Sequence, residues 1–159
     1  MLVITTLFAG LMAGLFFAWS VSVTPGLARL NDRGYLQAFQ EMNRAIQNPI
    51  FLLVFMGLAI LLPLLCFQVY SPGRNMRFWY VLGASLFYLL GVIAVTFMGN
   101  IPLNNKLDAL NLDSMTTEQM ASFRHGFEGK WNRLNVIRVI CSSLSLLLLV
   151  MACLQNGTI

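Results

Sequence analysis

Four long apolar runs organise the chain, at about residues 2–23, 50–70, 78–99 and 134–154. Each reaches the ~20 residues that an α-helix needs to cross a bilayer. Between the first two lies a polar stretch in which Leu36, Phe39, Met42, Asn43, Ile46 and Gln47 recur at helical spacing. That spacing predicts a short amphipathic helix from about Asp32, as N-cap, to Gln47. Residues 71–75 (Ser-Pro-Gly-Arg-Asn) form a tight turn between the second and third runs. The third connection reads as a solvated loop followed by a second helix near residues 116–127. Thr116 or Ser114 is its N-cap, Gln119 stands in its first turn, and Gly126 and Gly129 loosen its end. The expected fold is all-α: a single integral membrane domain over residues 1–159. It is a four-transmembrane antiparallel helix bundle with amphipathic helices in its two long loops.

The breakers refine the boundaries. Pro25-Gly26 ends or kinks the first helix, Asn48-Pro49 ends the amphipathic one, and Pro63 lies inside the second span. Gly10 and Gly14 form a small-xxx-small pair, suited to packing within the bundle or to a homo-oligomer. Gly83, Gly91 and Gly99 step by eight residues, a spacing that drifts around a regular helix instead of marking one face.

Both long connections fall on one side of the membrane, and the unusual polar residues fall there too. They are the segment from Trp19 to Thr24, Asn43 with Gln47 and Asn48, Asn100 with Asn104 and Asn105, and residues 131–138 (Trp-Asn-Arg-Leu-Asn-Val-Ile-Arg). On a helix, Trp131, Asn135 and Arg138 stand at i, i+4 and i+7 and share a face. An arginine carried into a membrane helix costs a few kcal/mol or more. It calls for amides, a carboxylate or a ligand oxyanion to meet it, unless it snorkels to the interface. Glu41 is the nearest counter-charge by layer. The amides cap or cross-link helices, or they line a pocket with Trp19, Trp131 and Arg138 for an oxygen-bearing aromatic ligand.

Composition agrees with the membrane reading. Apolar residues make up 58% and charged residues 10%, against about 25% charged in soluble domains. Mean hydropathy is +0.73. The formal charge of +4 is spread over the connections, with no dense basic face, so nucleic acid is not an expected partner. No Lys or Arg precedes Arg29, so the first run resembles an uncleaved membrane helix more than a signal peptide. Eight of the ten basic residues lie on the long-loop side, which the positive-inside rule places in the cytoplasm. The expected location is a membrane, crossed several times. Cys66, Cys141 and Cys153 lie in apolar runs without a C-x-x-C, as buried free thiols or, for Cys66 and Cys141, as a redox pair.

Signatures of nucleotide binding, zinc hydrolysis and serine hydrolysis are absent. The single histidine, His125, has Glu118 and Glu128 nearby. It reads as a solvated or structural residue, or as a general base; one histidine with scattered carboxylates makes a weak metal site, and no metal is expected.

The Gly-Asn-x-Pro-x-Asn element at 99–104 and the Trp-x-x-x-Asn-x-x-Arg element at 131–138 carry a resemblance. So do residues 17–27 (Phe-Ala-Trp-Ser-Val-Ser-Val-Thr-Pro-Gly-Leu) and 42–49 (Met-Asn-Arg-Ala-Ile-Gln-Asn-Pro). Together they resemble the bacterial DUF1772 family, grouped with the fungal anthrone oxygenases. The resemblance implies a small four-helix membrane protein and, for the bacterial members, the bacterial inner membrane as its location. For the fungal members it implies oxidation of a polyketide anthrone to an anthraquinone by molecular oxygen. That chemistry runs without metal or flavin, because an anthrone enolate itself reduces oxygen, so no cofactor is expected. On this reading Arg138, Asn135, Asn100, Asn104 and His125 are the catalytic candidates. Trp19, Trp131, Asn43, Gln47 and Asn48 bind the substrate, and the partners are the lipid bilayer and a lipophilic small molecule. The other reading is a non-enzymatic membrane protein that binds a lipid or small molecule or serves as a subunit of a membrane complex.

Overall fold

In a computed structural model, described here for residues 1–71 and 76–155, four helices are long and apolar enough to cross a membrane. They are α1 (Leu2–Leu27), α3 (Pro49–Val69), α4 (Met76–Asp108) and α5 (Thr117–Leu154), and the amphipathic α2 (Asp32–Ile46) links the first pair. The chain is thus an all-α, multi-pass membrane protein. In the bundle α5 lies between α1 and α4, and α3 closes the ring against both. Most of the turn expected at residues 71–75 lies outside the described residues.

Local signals set the ends. Asn31, one residue earlier than expected, caps α2 through Gly34 N–H donating to its Oδ1 at 2.8 Å. Asn48 caps α3, accepting from Phe51 N–H at 3.0 Å, and Pro49 follows in the first turn, where its missing N–H costs nothing. Thr116 and Gln119 form a reciprocal capping box at the start of α5.

Three departures from the sequence reading share one cause or bear on the site. First, α1 continues through Pro25 to Leu27, and α4 continues through Pro102 to Asp108. Each proline is preceded by a π-helical stretch, Trp19–Val23 in α1 and Thr96–Asn100 in α4. A proline ring collides with the carbonyl four residues back. Those carbonyls, on Val21 and Met98, lie in the widened turns, so the helices pass the prolines.

Second, the glycines of α4 share a face after all. A Cβ on Gly83 would lie 3.1 Å from Leu148, on Gly91 2.3 Å from Cys141 Sγ, and on Gly99 2.8 Å from Leu134. The partners step by seven along α5. Eight residues of a regular helix overshoot by about 80°, whereas seven fall within about 20° of alignment. The π stretches Leu89–Ala94 and Thr96–Asn100 each absorb an extra residue, so an eight-residue step on α4 matches a seven-residue step on α5.

Third, the helix expected at residues 116–127 is not separate. It is the first part of α5, which runs unbroken through Gly126 and Gly129. Each glycine costs about 1 kcal/mol in a helix interior, and the burial of Met120, Phe127 and Trp131 outweighs that. At 38 residues α5 is about 57 Å long, nearly twice the ~30 Å hydrocarbon core. Its first turns therefore stand outside the bilayer as a buttress for α2.

Two apolar clusters result. One fills the bundle, with Met12, Phe16, Phe55, Leu58, Tyr88 and Leu149 among its members. The other sits under α2, where Tyr35, Leu36 and Phe39 meet Leu107, Phe127 and Trp131. Polar clamps hold this cap. Gln40 Nε2 donates to the carbonyls of Leu107 and Leu110 at 2.9 and 3.1 Å. Arg124 donates to the carbonyls of Ala28 and Leu30 at the end of α1, and pairs with Asp32 and Glu128. Its guanidinium also lies 4.4 Å from the Tyr35 ring centre. Burial, reinforced by the Glu128 carboxylate, pushes the Tyr35 hydroxyl above the ordinary tyrosine range.

The cysteines are free thiols. Cys66 lies 3.2 Å from Ser85 Oγ, and Cys141 packs on Gly91. Cys153 is exposed rather than buried, 3.5 Å from Thr6 Oγ1. Gly10 faces Leu146 of α5, whereas nothing lies within 4 Å of a Cβ at Gly14.

Candidate functional site

Between the bundle core and the cap is a cavity of about 280 Å³, walled by all four spanning helices and by the end of α2. Its back wall is the predicted face of α5. Trp131, Asn135 and Arg138 are all buried and all line it. Regular helical geometry suffices to place them together.

Asn135 organises this wall. Its Nδ2 donates to the Phe16 carbonyl at 3.3 Å and to Ser20 Oγ at 2.8 Å, both on α1. That fixes the amide so that its Oδ1 faces Arg138, which donates to it from a terminal nitrogen at 2.7 Å. The Arg138 guanidinium carbon lies 4.6 Å from the Phe16 ring centre and 5.3 Å from that of Trp131. Trp131 Nε1–H donates to Asn104 Oδ1 at 2.9 Å. The roof is aromatic: Trp19, Phe39 and Trp131 pack with ring centres 4.9–5.6 Å apart.

The charge balance is unusual. Arg138 is 7% exposed and joins none of the five ion pairs found among the described residues. Glu41 does not answer it; that carboxylate pairs with Arg44 at 3.0 Å on an exposed face of α2. Among the described residues no other ionisable side chain lines the cavity. Several polar atoms around it also lack protein partners: Arg138 Nε, Asn43 Nδ2, Thr96 Oγ1 and both amide atoms of Asn100. Asn100 is 1% exposed. Buried polar groups are nearly always satisfied, and an orphan costs about 1–3 kcal/mol. Five such atoms around one cavity, beside an unpaired cation, make a polar hole within an apolar shell.

Of the ten residues picked from the sequence, eight line the cavity: Trp19, Asn43, Gln47, Asn100, Asn104, Trp131, Asn135 and Arg138. Asn48 does not. Its Nδ2 donates to the Ala45 carbonyl at 2.9 Å and its Oδ1 caps α3, so both amide atoms are occupied by helix ends. His125 does not either; it is exposed on the protruding part of α5. Among the described residues no group of three His, Cys, Asp or Glu side chains is placed to hold a metal ion. The sequence reading missed Thr96, Phe16, Phe51 and Phe55. Thr96 stands four residues before Asn100, the spacing that had drawn attention to Asn104. The phenylalanines carry no signal, because a cavity wall and a lipid-facing surface have the same apolar pattern.

A multi-pass helical bundle with a buried cavity lined by amides, aromatic rings and one arginine is the class of protein that fold and site define. The model of the anthrone oxygenase family matches residues 51–148, well over half of the chain, and the chain belongs to that family. The match includes Asn100, Asn104, Trp131, Asn135 and Arg138; Trp19, Asn43 and Gln47 precede it. No curated protein and no solved structure matches the chain.

Proposed function

We propose that the cavity binds a lipophilic aromatic ketone as its enolate and promotes the reaction of that enolate with molecular oxygen. The observation that carries this reading is Arg138, a buried guanidinium with no carboxylate partner, facing orphaned amide groups. Donors preorganised in a water-poor site stabilise developing negative charge far better than water does. The aromatic walls, Trp19, Phe16 and Trp131, suit a flat ring system.

The chemistry balances without a further reactant. An anthrone loses a proton from the methylene carbon opposite its carbonyl, and the resulting enolate oxygen sits on Arg138. One electron passes to oxygen, and the radical pair joins at that carbon as a peroxide. Protonation of the peroxide and loss of the second hydrogen break the O–O bond and release water. The sum is anthrone plus oxygen to anthraquinone plus water. Neither the base candidate His125 nor the carboxylate of Glu41 reaches the cavity. On this reading the site acts by lowering the pKa of the bound ketone through Arg138, and the proton leaves to solvent at the Gln47 rim. The protein lies in a bacterial inner membrane with its two long connections in the cytoplasm, as the distribution of basic residues favours.

The test is oxygen uptake by the purified protein in lipid nanodiscs supplied with an anthrone. Uptake above the spontaneous rate, with one oxygen consumed per anthraquinone formed and lost in Arg138→Gln, is expected. Uptake at the spontaneous rate in both proteins would leave a binding protein without oxygenase activity.

A further inference from the structure

The cavity has an apolar opening between α3 and α4 and a polar one at the interfacial end, where Gln47 and Asn105 are exposed. Its roof is the packed trio of Trp19, Phe39 and Trp131 under α2. Its floor is closed where Tyr88 OH donates to the Phe55 carbonyl at 3.0 Å, joining α4 to α3. Below that bond α3 packs along Met76–Tyr88 of α4. Above it the helices part. The π stretches keep to α5, with Gly91 against Cys141 and Gly99 against Leu134, while α3 packs on neither stretch as it does on Met76–Tyr88.

The gap is edged by cavity-lining residues that also face outward. On α3 these are Leu52 and Met56, one turn apart; on α4 it is Phe97. They are 47%, 38% and 50% exposed, on helices long and apolar enough to span a membrane. Only at the interfacial end does the rim turn polar, with Gln47 and Asn105.

We propose that the gap between α3 and α4 is a lateral portal through which the ligand enters from the bilayer. The ligand is a neutral, flat polycyclic arene bearing a ketone or phenol oxygen. It enters oxygen-first, so that the oxygen meets Arg138 and Asn100 once the ring body has passed Leu52, Met56 and Phe97 and lies against Phe16, Trp19 and Trp131. This rests on the reading of the cavity as a ligand site. It adds the route by which such a molecule, already dissolved in lipid, reaches the cavity.

A portal residue changes the barrier to entry and exit alike. It therefore alters the association and dissociation rates by one factor and leaves their ratio nearly unchanged, whereas a pocket residue alters the ratio. The probe is a hydroxyanthraquinone dissolved in the nanodisc lipid, followed by its own visible fluorescence in stopped-flow mixing of empty and loaded discs. Leu52→Trp, Met56→Trp and Phe97→Trp are expected to slow both rates about tenfold, the effect of one bulky ring in a narrow gap. Leu52→Ala and Phe97→Ala are expected to speed both. Arg138→Gln is expected to weaken equilibrium binding about tenfold or more, by losing a charged hydrogen bond. Unchanged rates in the three tryptophan variants overturn the portal, as does slowing confined to Gln47→Trp and Asn105→Trp, which would place entry on the aqueous side. Failure of the probe to bind, or unchanged binding in Arg138→Gln, overturns the ligand site itself and the portal with it.

Discussion

Replacing Arg138 with methionine removes the charge while keeping most of the side chain's length. If the residue is a structural anchor, the bundle should weaken; if it is held ready for a ligand, stability should hardly move. The terms can be estimated. A buried arginine at the centre of a membrane helix costs about 2.5–3.5 kcal/mol on insertion scales. The 2.7 Å bond to Asn135 returns about 1.5–3 kcal/mol as a charged hydrogen bond. The faces of Phe16 and Trp131, at 4.6 and 5.3 Å, each return about 0.5–1 kcal/mol. Cost and return nearly cancel, between a gain of about 1 and a loss of about 2.5 kcal/mol, so Arg138→Met should change the unfolding free energy by less than about 3 kcal/mol in either direction. Binding of an oxyanion should suffer far more, about tenfold to a hundredfold, as one charged hydrogen bond is lost. Reversible SDS unfolding in mixed micelles, followed by circular dichroism, measures the first quantity; fluorescence titration with a hydroxyanthraquinone measures the second. A loss of stability above about 3 kcal/mol with intact binding would refute the reasoning, because it would make Arg138 a structural strut.

Other substitutions separate the remaining roles. Gly91→Ala places a Cβ 2.3 Å from Cys141 Sγ and 2.4 Å from its Cβ, and should destabilise by about 1–3 kcal/mol in the same unfolding assay. Cys141→Gly should relieve that clash and Cys141→Ala should not, because alanine keeps the offending Cβ. Asn48→Ala removes the cap of α3 and should cost about 1 kcal/mol in thermal unfolding while leaving ligand affinity unchanged. His125→Ala should alter neither oxygen uptake nor affinity, and metal analysis of the purified protein should give the same content before and after the change, because the imidazole stands exposed outside the cavity.

The site was legible wherever a regular helix carried it. Trp131, Asn135 and Arg138 could be placed on one face because spacing of four and seven fixes an angle in any α-helix. The four spans were legible from apolar length alone. What escaped was irregular backbone. Gly83, Gly91 and Gly99 seemed to drift because nothing in the sequence announces the π stretches that realign them on α5. For the same reason Pro25 was expected to end or kink a helix that in fact continues to Leu27. Asn43 and Asn48 show the limit for side chains. Both are amides five residues apart at one end of α2, yet one faces the cavity with an unpartnered nitrogen and the other is consumed in capping. Only the turn between α2 and α3 decides which. Gly126 and Gly129 misled in the opposite sense, since tertiary packing of Phe127 and Trp131 keeps α5 helical through both.

The most direct measurement is the ionisation of a ligand held in the cavity. A hydroxyanthraquinone changes its visible absorbance when its phenol loses a proton, so its titration can be read in nanodiscs with and without protein. Arg138 beside the bound oxygen should lower the midpoint by about one to two pH units relative to protein-free discs, and Arg138→Gln should abolish the shift. A midpoint that is unchanged or raised, as apolar burial alone would produce, would contradict an anion-stabilising site.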